Sequence, residues 1–409
     1  MDTYLNIKVI PNAMKKDERK KLESNIWKFY IFQAFRNLAF FLPIIVLFWL
    51  DNGLSMTEIM LLQSIFAITI VLLEIPTGYF ADIFGRKKSL VYSGFFLFGA
   101  TLAYAIGGSF YHFLIAEILW AFGNSLISGS DSALIYDTLV DLKQQEKYKK
   151  IWGNAVFFLL IAIAFANIVG GFVGKINFRW TFYLLLPFLA LLIPLSLSMH
   201  EPKRHKLIFK KGYLWELLKI IKYSFLKNRK LRWLILYSAI AYSFNQSALW
   251  FYQPYFSLSG LDIAHFGFVF ASFQLVAAIT SKYSYKIEEK LGEKYSLILL
   301  IVLIGASYLL MSNFVYLFSF TFAFLHQFVR GFSKVVITDY VNKLTTSDIR
   351  ATILSAKNMV GQLIYAIIIP IFGWIADVYS LLQALTALGI TTLVIGTVFL
   401  FALHKYKVV

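Results

Sequence analysis

The sequence predicts an all-α integral membrane protein of twelve membrane-spanning helices, and three observations carry that reading. Apolar residues make up 59% of the chain and charged residues 15%, with a mean hydropathy of +0.68. An average soluble domain is far less apolar. Long apolar runs, each offering the roughly 20 residues that a span needs, recur from end to end. Lys/Arg-rich stretches alternate with turns almost free of them. A strand barrel would instead show segments of about ten alternating residues.

The basic stretches are 1–27, 82–90, 140–151, 200–232, 281–295, 343–350 and 404–409, which hold 32 of the 39 Lys and Arg residues. The turns near 51–57, 107–112, 257–265, 311–315 and 377–381 hold none, and 172–180 holds only Lys175 and Arg179. Short loops rich in Lys and Arg stay in the cytoplasm. Spans are therefore expected near 27–50, 57–81, 89–108, 111–139, 150–172, 178–199, 232–257, 263–285, 294–311, 314–342, 351–376 and 379–403. Both ends are expected in the cytoplasm, with the chain in the inner or plasma membrane. The net charge of +17 then reports topology and contact with anionic headgroups, and no nucleic-acid partner is expected. Cysteine is absent, which excludes disulfides and thiolate metal sites. No phosphate-binding G-x4-G-K-[S/T] loop, metal-ligand spacing or catalytic triad is present, so neither a cofactor nor an enzymatic activity is expected.

The segment 200–231 is the longest polar interval. Leu214, Trp215, Leu217, Leu218, Ile221 and Phe225 recur in it at helical spacing, which reads as an amphipathic helix on the membrane surface. The expected organisation is a cytoplasmic N-terminus (1–26), a six-helix bundle (27–199), this basic linker (200–231), a second six-helix bundle (232–403) and a cytoplasmic tail (404–409). The halves echo each other. Tyr136 and Asn154 have counterparts in Tyr340 and Asn358, and Asp82-x-x-Gly85 has one in Glu289-x-x-Gly292, each followed by Ser-Leu. Parallel repeats of six spans, related by a pseudo-two-fold axis along the membrane normal, point to a transporter that binds between its halves.

Between spans two and three stands Gly78-Tyr-Phe-Ala-Asp82-Ile-Phe-Gly85-Arg86-Lys87-Lys88. Here the chain resembles the major facilitator superfamily, whose signature in this loop is G-x-x-x-D-x-x-G-R-[K/R]. Gly78 permits close helix approach and Gly85 a tight turn. The resemblance implies that Asp82 caps the start of span eleven and that Arg86 pairs with an acid at the inner end of span four, a role Asp137 fits. Span five partly follows the family's antiporter pattern, with Gly153, Ala162, Ala166, Gly170 and Gly171 in register but Asn167 in place of a proline. The small residues suit a close helix crossing.

Ionisable groups at bilayer depth are costly and usually face a cavity. Arg36 lies about 14 Å along span one from its inner end, and Glu117 and Asp131 lie on span four, with Arg330 and Lys334 on span ten. The resemblance implies that spans one, four, seven and ten line the cavity. Glu117 is the expected proton carrier. Glu74 reads as a gate or packing partner, Lys357 as a shallow, snorkelling residue and His326 as a packing residue. Gln33, Asn37, Trp120, Asn124, Asn245, Gln246, Trp250, Gln253, Asn358 and Gln362 supply candidate substrate contacts. Together these residues imply a monomeric secondary transporter in the bilayer that exchanges protons for an amphiphilic small molecule and works as an exporter. Uptake of a small metabolite or organic anion is the alternative, and a non-transporting sensor the more distant one.

Overall fold

The computed structural model describes residues 16–203, 228–347 and 349–406, and among them every regular element is helical. The predicted linker helix around Leu214–Phe225 lies outside the described residues, as do 1–15 of the N-terminal segment and the last three residues of the tail. The first half contains α1 (Lys16–Arg36), α2 (Ile45–Asp51), α3 (Met56–Phe84), α4 (Arg86–Ile106), α5 (Phe110–Ile127), α6 (Ser130–Asp141), α7 (Tyr148–Ile176) and α8 (Trp180–Ser198). The second contains α9 (Arg229–Leu258), α10 (Ile263–Asn313), α11 (Ala323–Lys343), α12 (Arg350–Val378) and α13 (Leu381–Lys405).

Each of the twelve segments read from the sequence falls on one of these helices, with two corrections. Spans one and four are both broken. Residues 37–44 separate α1 from α2, and Pro43 within them has no N–H to continue the ladder. Gly129, at φ 76°, separates α5 from α6, a conformation glycine adopts without strain. Two further glycines reverse the chain. Gly85 (φ 114°) divides α3 from α4, and Gly292 (φ 73°) breaks the 51-residue α10 into two legs. Four helix starts are satisfied locally. Ser55 and Glu58 form a reciprocal capping box on α3, and the side chains of Asn228, Asp262 and Ser380 accept from the first turns of α9, α10 and α13.

Among the described residues, eight helices are long and apolar enough to cross a membrane: α3, α4, α5 continued by α6, α7, α8, α10, α12 and α13. Left out are α1 with α2, α9 and α11, which carry Gln33, Arg36, Asn245, Gln246, Arg330 and Lys334. The outside of the molecule is apolar: Leu72, Ile367, Val398 and Phe401 are each at least 60% exposed. Water would penalise such a surface and lipid does not. The chain is a multi-pass membrane protein.

Helices of the first half pack chiefly on one another (α4 on α5 and α8, α3 on α5, α1 on α7 and α8), and so do those of the second (α9 on α12 and α13, α10 on α11 and α13). The halves meet along two large seams, α3–α12 and α7–α10. In the first seam, leg two of one half meets leg five of the other. In the second, leg five meets leg two. Such reciprocal pairing is what a two-fold relation requires.

The basic turns at Gly85 and Gly292 lie at one end of the molecule, here termed the basic face. The Lys343–Glu293 pair (3.2 Å) and the Glu201 carboxylate on the α4 start lie there too. Asn52, Gly107, Asp262 and Asp377 mark the opposite face.

Candidate functional site

A cavity of about 530 Å³ lies between the halves, walled by Glu74, Asn124, Asn245, Arg330, Lys334 and Asn358 among others. On α3, α9 and α12 its lining lies nearer the basic face than that of the chamber below it. A deeper chamber of about 350 Å³ adjoins it and shares Asn124, Tyr242, Gln246 and Gln362. Arg36, Asn37, Glu117, Trp120, Asn167 and Trp250 line that chamber. Volumes of this size suit a small organic molecule.

The break in span one positions Arg36. Released from a continuous helix, the last turn of α1 turns the guanidinium toward Asp131, 3.3 Å away at the start of α6. Asp131 also accepts from Gln33 Nε2 at 2.8 Å, and its backbone stands next to the Gly129 break. Asn37 folds back, its Nδ2 donating to the Gln33 carbonyl at 2.7 Å. Gln33 and Asp131 are buried behind Arg36. The two broken spans therefore meet at one buried ion pair.

Glu117 is 7% exposed at the floor of the deeper chamber. The Tyr104 hydroxyl donates to its Oε1, and Gln63 Nε2 lies 3.3 Å from the same atom. No cation among the described residues pairs with it. Tyr104 stacks between Phe113 and Phe182, with ring centroids at 5.5 and 5.0 Å. That stacking fixes the hydroxyl and, through it, the carboxyl.

Toward the opposite face the halves are closed. Gln253 of α9 accepts from Val46 N at 2.7 Å and donates to the Leu42 carbonyl at 2.9 Å, so a side chain of the second half satisfies orphan groups at the α2 start. Trp49 and Trp250 meet above the chamber, centroids 5.8 Å apart, while the Trp250 indole donates to the Tyr365 hydroxyl at 2.6 Å. Asp377, at the end of α12, accepts from the backbone N–H groups of Met56 (2.8 Å) and Thr57 (2.7 Å) at the start of α3. On α7, a Cβ at Gly171 would lie 2.9 Å from the Gly267 nitrogen, and one at Gly267 would meet the Asn167 carbonyl. A Cβ at Gly170 would meet the Phe40 carbonyl. Gly153 differs from these, since a Cβ there would meet nothing within 4 Å. It is not at a crossing: its neighbours Ile151 and Ala155 make the contacts with α1 and α6 at that end.

The two cations in the turns otherwise free of Lys and Arg have structural duties here. Arg179 donates to the carbonyls of Ala105 and Gly107 and to Asn52 Oδ1, tying three turns together. Lys175 pairs with Asp262 across the halves at 2.7 Å.

At the basic face, Arg86 meets the Asp137 carboxylate and donates to the Ala133 carbonyl at 2.8 Å. Glu201 accepts from Arg86 N and Lys87 N at 3.0 and 2.8 Å. An acid from the segment after α8 therefore caps α4, where the helix dipole favours negative charge. The residue before α12, Ile349, has no side chain that could cap it; this start is the position the family resemblance assigns to Asp82. A Cβ on Gly78 would meet nothing within 4 Å, so the close approach expected there is not made in this arrangement.

His326 lies off the cavity, 2.8 Å from Ser307 Oγ and against Tyr308. Sequence reasoning missed Gln63, Tyr104, Glu201 and Asp377. Asp377 alone had a visible signal, since Gly373-x-x-x-Asp377 repeats the spacing of Gly78-x-x-x-Asp82.

A family model described as Major Facilitator Superfamily matches residues 29–367. The chain belongs to the major facilitator superfamily. YxaM of Bacillus subtilis, described as an uncharacterized MFS-type transporter, is 27% identical over 367 residues, covering 86% of this chain and 90% of that protein. The quinolone resistance protein NorA of Staphylococcus aureus is 24% identical over 179 residues, 43% of this chain and 45% of NorA. The nucleoside transporter NupG shares the fold at TM-score 0.75 and 13% identity, covering 95% of this chain and 98% of that one. A bacterial homologue of the human lysosomal transporter Spinster does so at TM-score 0.72 and 16% identity, covering 96% and 98%. This superfamily member therefore has transporters as its relatives.

Proposed function

We propose that this protein is a secondary active transporter in which two six-helix bundles, 27–199 and 232–403, rock about the central cavity. All twelve legs cross the cell's inner or plasma membrane with the basic face in the cytoplasm. The arrangement described is then the inward-facing one. Protons are exchanged for an amphiphilic small molecule that leaves the cell, and the working unit is a monomer.

The observation that carries this reading is Glu117. A carboxyl with no paired cation stands at the closed end of a water-accessible cavity. It is placed to take a proton from one side and release it to the other as the cavity switches. The similarity of part of the chain to a quinolone resistance protein supports outward movement of a drug-like solute.

The test is Glu117→Gln in proteoliposomes. Solute exchange without a gradient is expected to persist, while accumulation driven by a pH gradient is expected to disappear. Undiminished pH-driven accumulation would remove Glu117 as the carrier.

A further inference from the structure

We infer that the transported solute is an organic anion, with a carboxylate or phosphate group on an aromatic body. The inference rests on the transport reading above and narrows it to a substrate class.

The cavity wall nearest the basic face carries three cations, Arg330 and Lys334 on α11 and Lys357 on α12, against one carboxylate, Glu74. No carboxylate among the described residues forms an ion pair with any of the three. Among the described residues, Arg330 is held by neutral groups, with Gln274 Oε1 at 2.9 Å and the Phe273 carbonyl at 3.5 Å. Glu74 has a hydroxyl partner in Ser355.

The contrast with Arg36 is informative. The fold neutralises that guanidinium with a dedicated aspartate, Asp131, and supports the aspartate with Gln33. It makes no such provision one layer closer to the basic face. An unpaired cation at membrane depth is tolerated where a cavity gives it water or a ligand charge. Three cations on two adjacent helices make that wall a potential well for an oxyanion. Arginine adds a planar fork that matches a carboxylate or phosphate.

The adjoining chamber supplies the rest of the class. Trp120, Trp250, Tyr242 and Phe41 line it, with amides from Gln246 and Gln362 at the junction. An anion seated on Arg330 and Lys334 would lay an aromatic body among these rings, within reach of Glu117. Oxyanion toward the cations and body toward the rings is the only orientation that satisfies both chambers.

The experiment uses the full chain in a neutral detergent. Binding is measured for 1-naphthoate, 1-naphthyl phosphate, neutral 1-naphthol and the tetraphenylphosphonium cation, at low and high salt. The two anions are expected to bind most tightly, and their affinity to fall with salt. Arg330→Gln and the double variant Lys334→Gln/Lys357→Gln are each expected to weaken anion binding about tenfold or more, while Arg330→Lys retains most of it. Tighter binding of naphthol or tetraphenylphosphonium, or anion affinity unchanged in the neutralised variants, would overturn the inference. Counterflow of each bound probe in proteoliposomes separates the two readings. A cation that binds and moves sinks the anion class and leaves the transporter standing. Anions that bind as expected but never move support the site and sink the transporter.

Discussion

The two ends of the α3–α12 seam carry the same glycine-to-aspartate spacing and differ in how closely they pack. At the opposite face, Gly373 brings α12 against the α3 backbone, a Cβ there lying 2.8 Å from the Met56 carbonyl, and Asp377 caps α3 across the halves. At the basic face, Gly78 has open space around it, and the residue that precedes α12 is Ile349, which brings no capping group of its own. One seam thus holds two glycines of related setting, and only Gly373 is in close contact. Each glycine is needed when its own end closes, which explains why Gly78 looks dispensable in this arrangement.

The comparison breaks most readily at the glycines. Gly373→Val must force the closed end apart, since overpacking a tight contact costs about 1–3 kcal/mol. It is expected to cut transport at least tenfold and to lengthen the distance between spin labels on Ser109→Cys and Asn313→Cys. The natural chain has no cysteine, so the labels report without background. Gly78→Val should leave that distance and the thermal stability of this state unchanged while slowing turnover. Equal effects of the two valines on the label distance would refute the asymmetry.

A gentler break is Asp377→Ala. Losing a helix cap costs about 0.5–2 kcal/mol, which corresponds to roughly a tenfold shift toward opening of the opposite face. The same label pair reads it as a new long-distance population. An unchanged distance distribution would show that Asp377 decorates the seam without latching it.

The smallest effect is expected at the exposed Lys175–Asp262 pair. The Lys175 ammonium bonded to Asp262, helped by the Ala264 N–H, holds the carboxyl below its usual 3.8. A lowered acid contributes above its ordinary range and loses that contribution as pH falls through its folded value. Asn can still cap α10, so Asp262→Asn isolates the charge. The small Tm difference between parent and variant is expected to be constant above about pH 5 and to vanish in stronger acid. A difference that persists there would mean the cap, and not the ion pair, is what the variant lost.

Much of the architecture was readable because hydropathy and charge act locally. The apolar runs placed the eight helices that are long and apolar enough to cross a membrane among the described residues, and the signature loop located Gly85 and Arg86. The cavity amides were also found, since polar groups in an apolar run have few other places to go. What escaped depends on approach over long chain separations. Asp377 finds α3 some 320 residues away, Gln253 finds α2 across the halves, and Glu201 returns to cap α4. The breaks at 37–44 and Gly129 escaped too. A single proline or glycine inside a long apolar run does not say whether the helix bends or stops, and here the Arg36–Asp131 pair is built where both stop.

Gly292 turns one leg of α10 into the next without a loop, and Gly85 does the same between α3 and α4. A one-residue elbow has no slack. In the rocking proposed above, tilting the leg that borders a seam drags its successor by a matching amount, so that helices with no view of the solute sweep through the bilayer as well. Membrane thickness and lateral pressure thereby gain leverage over turnover.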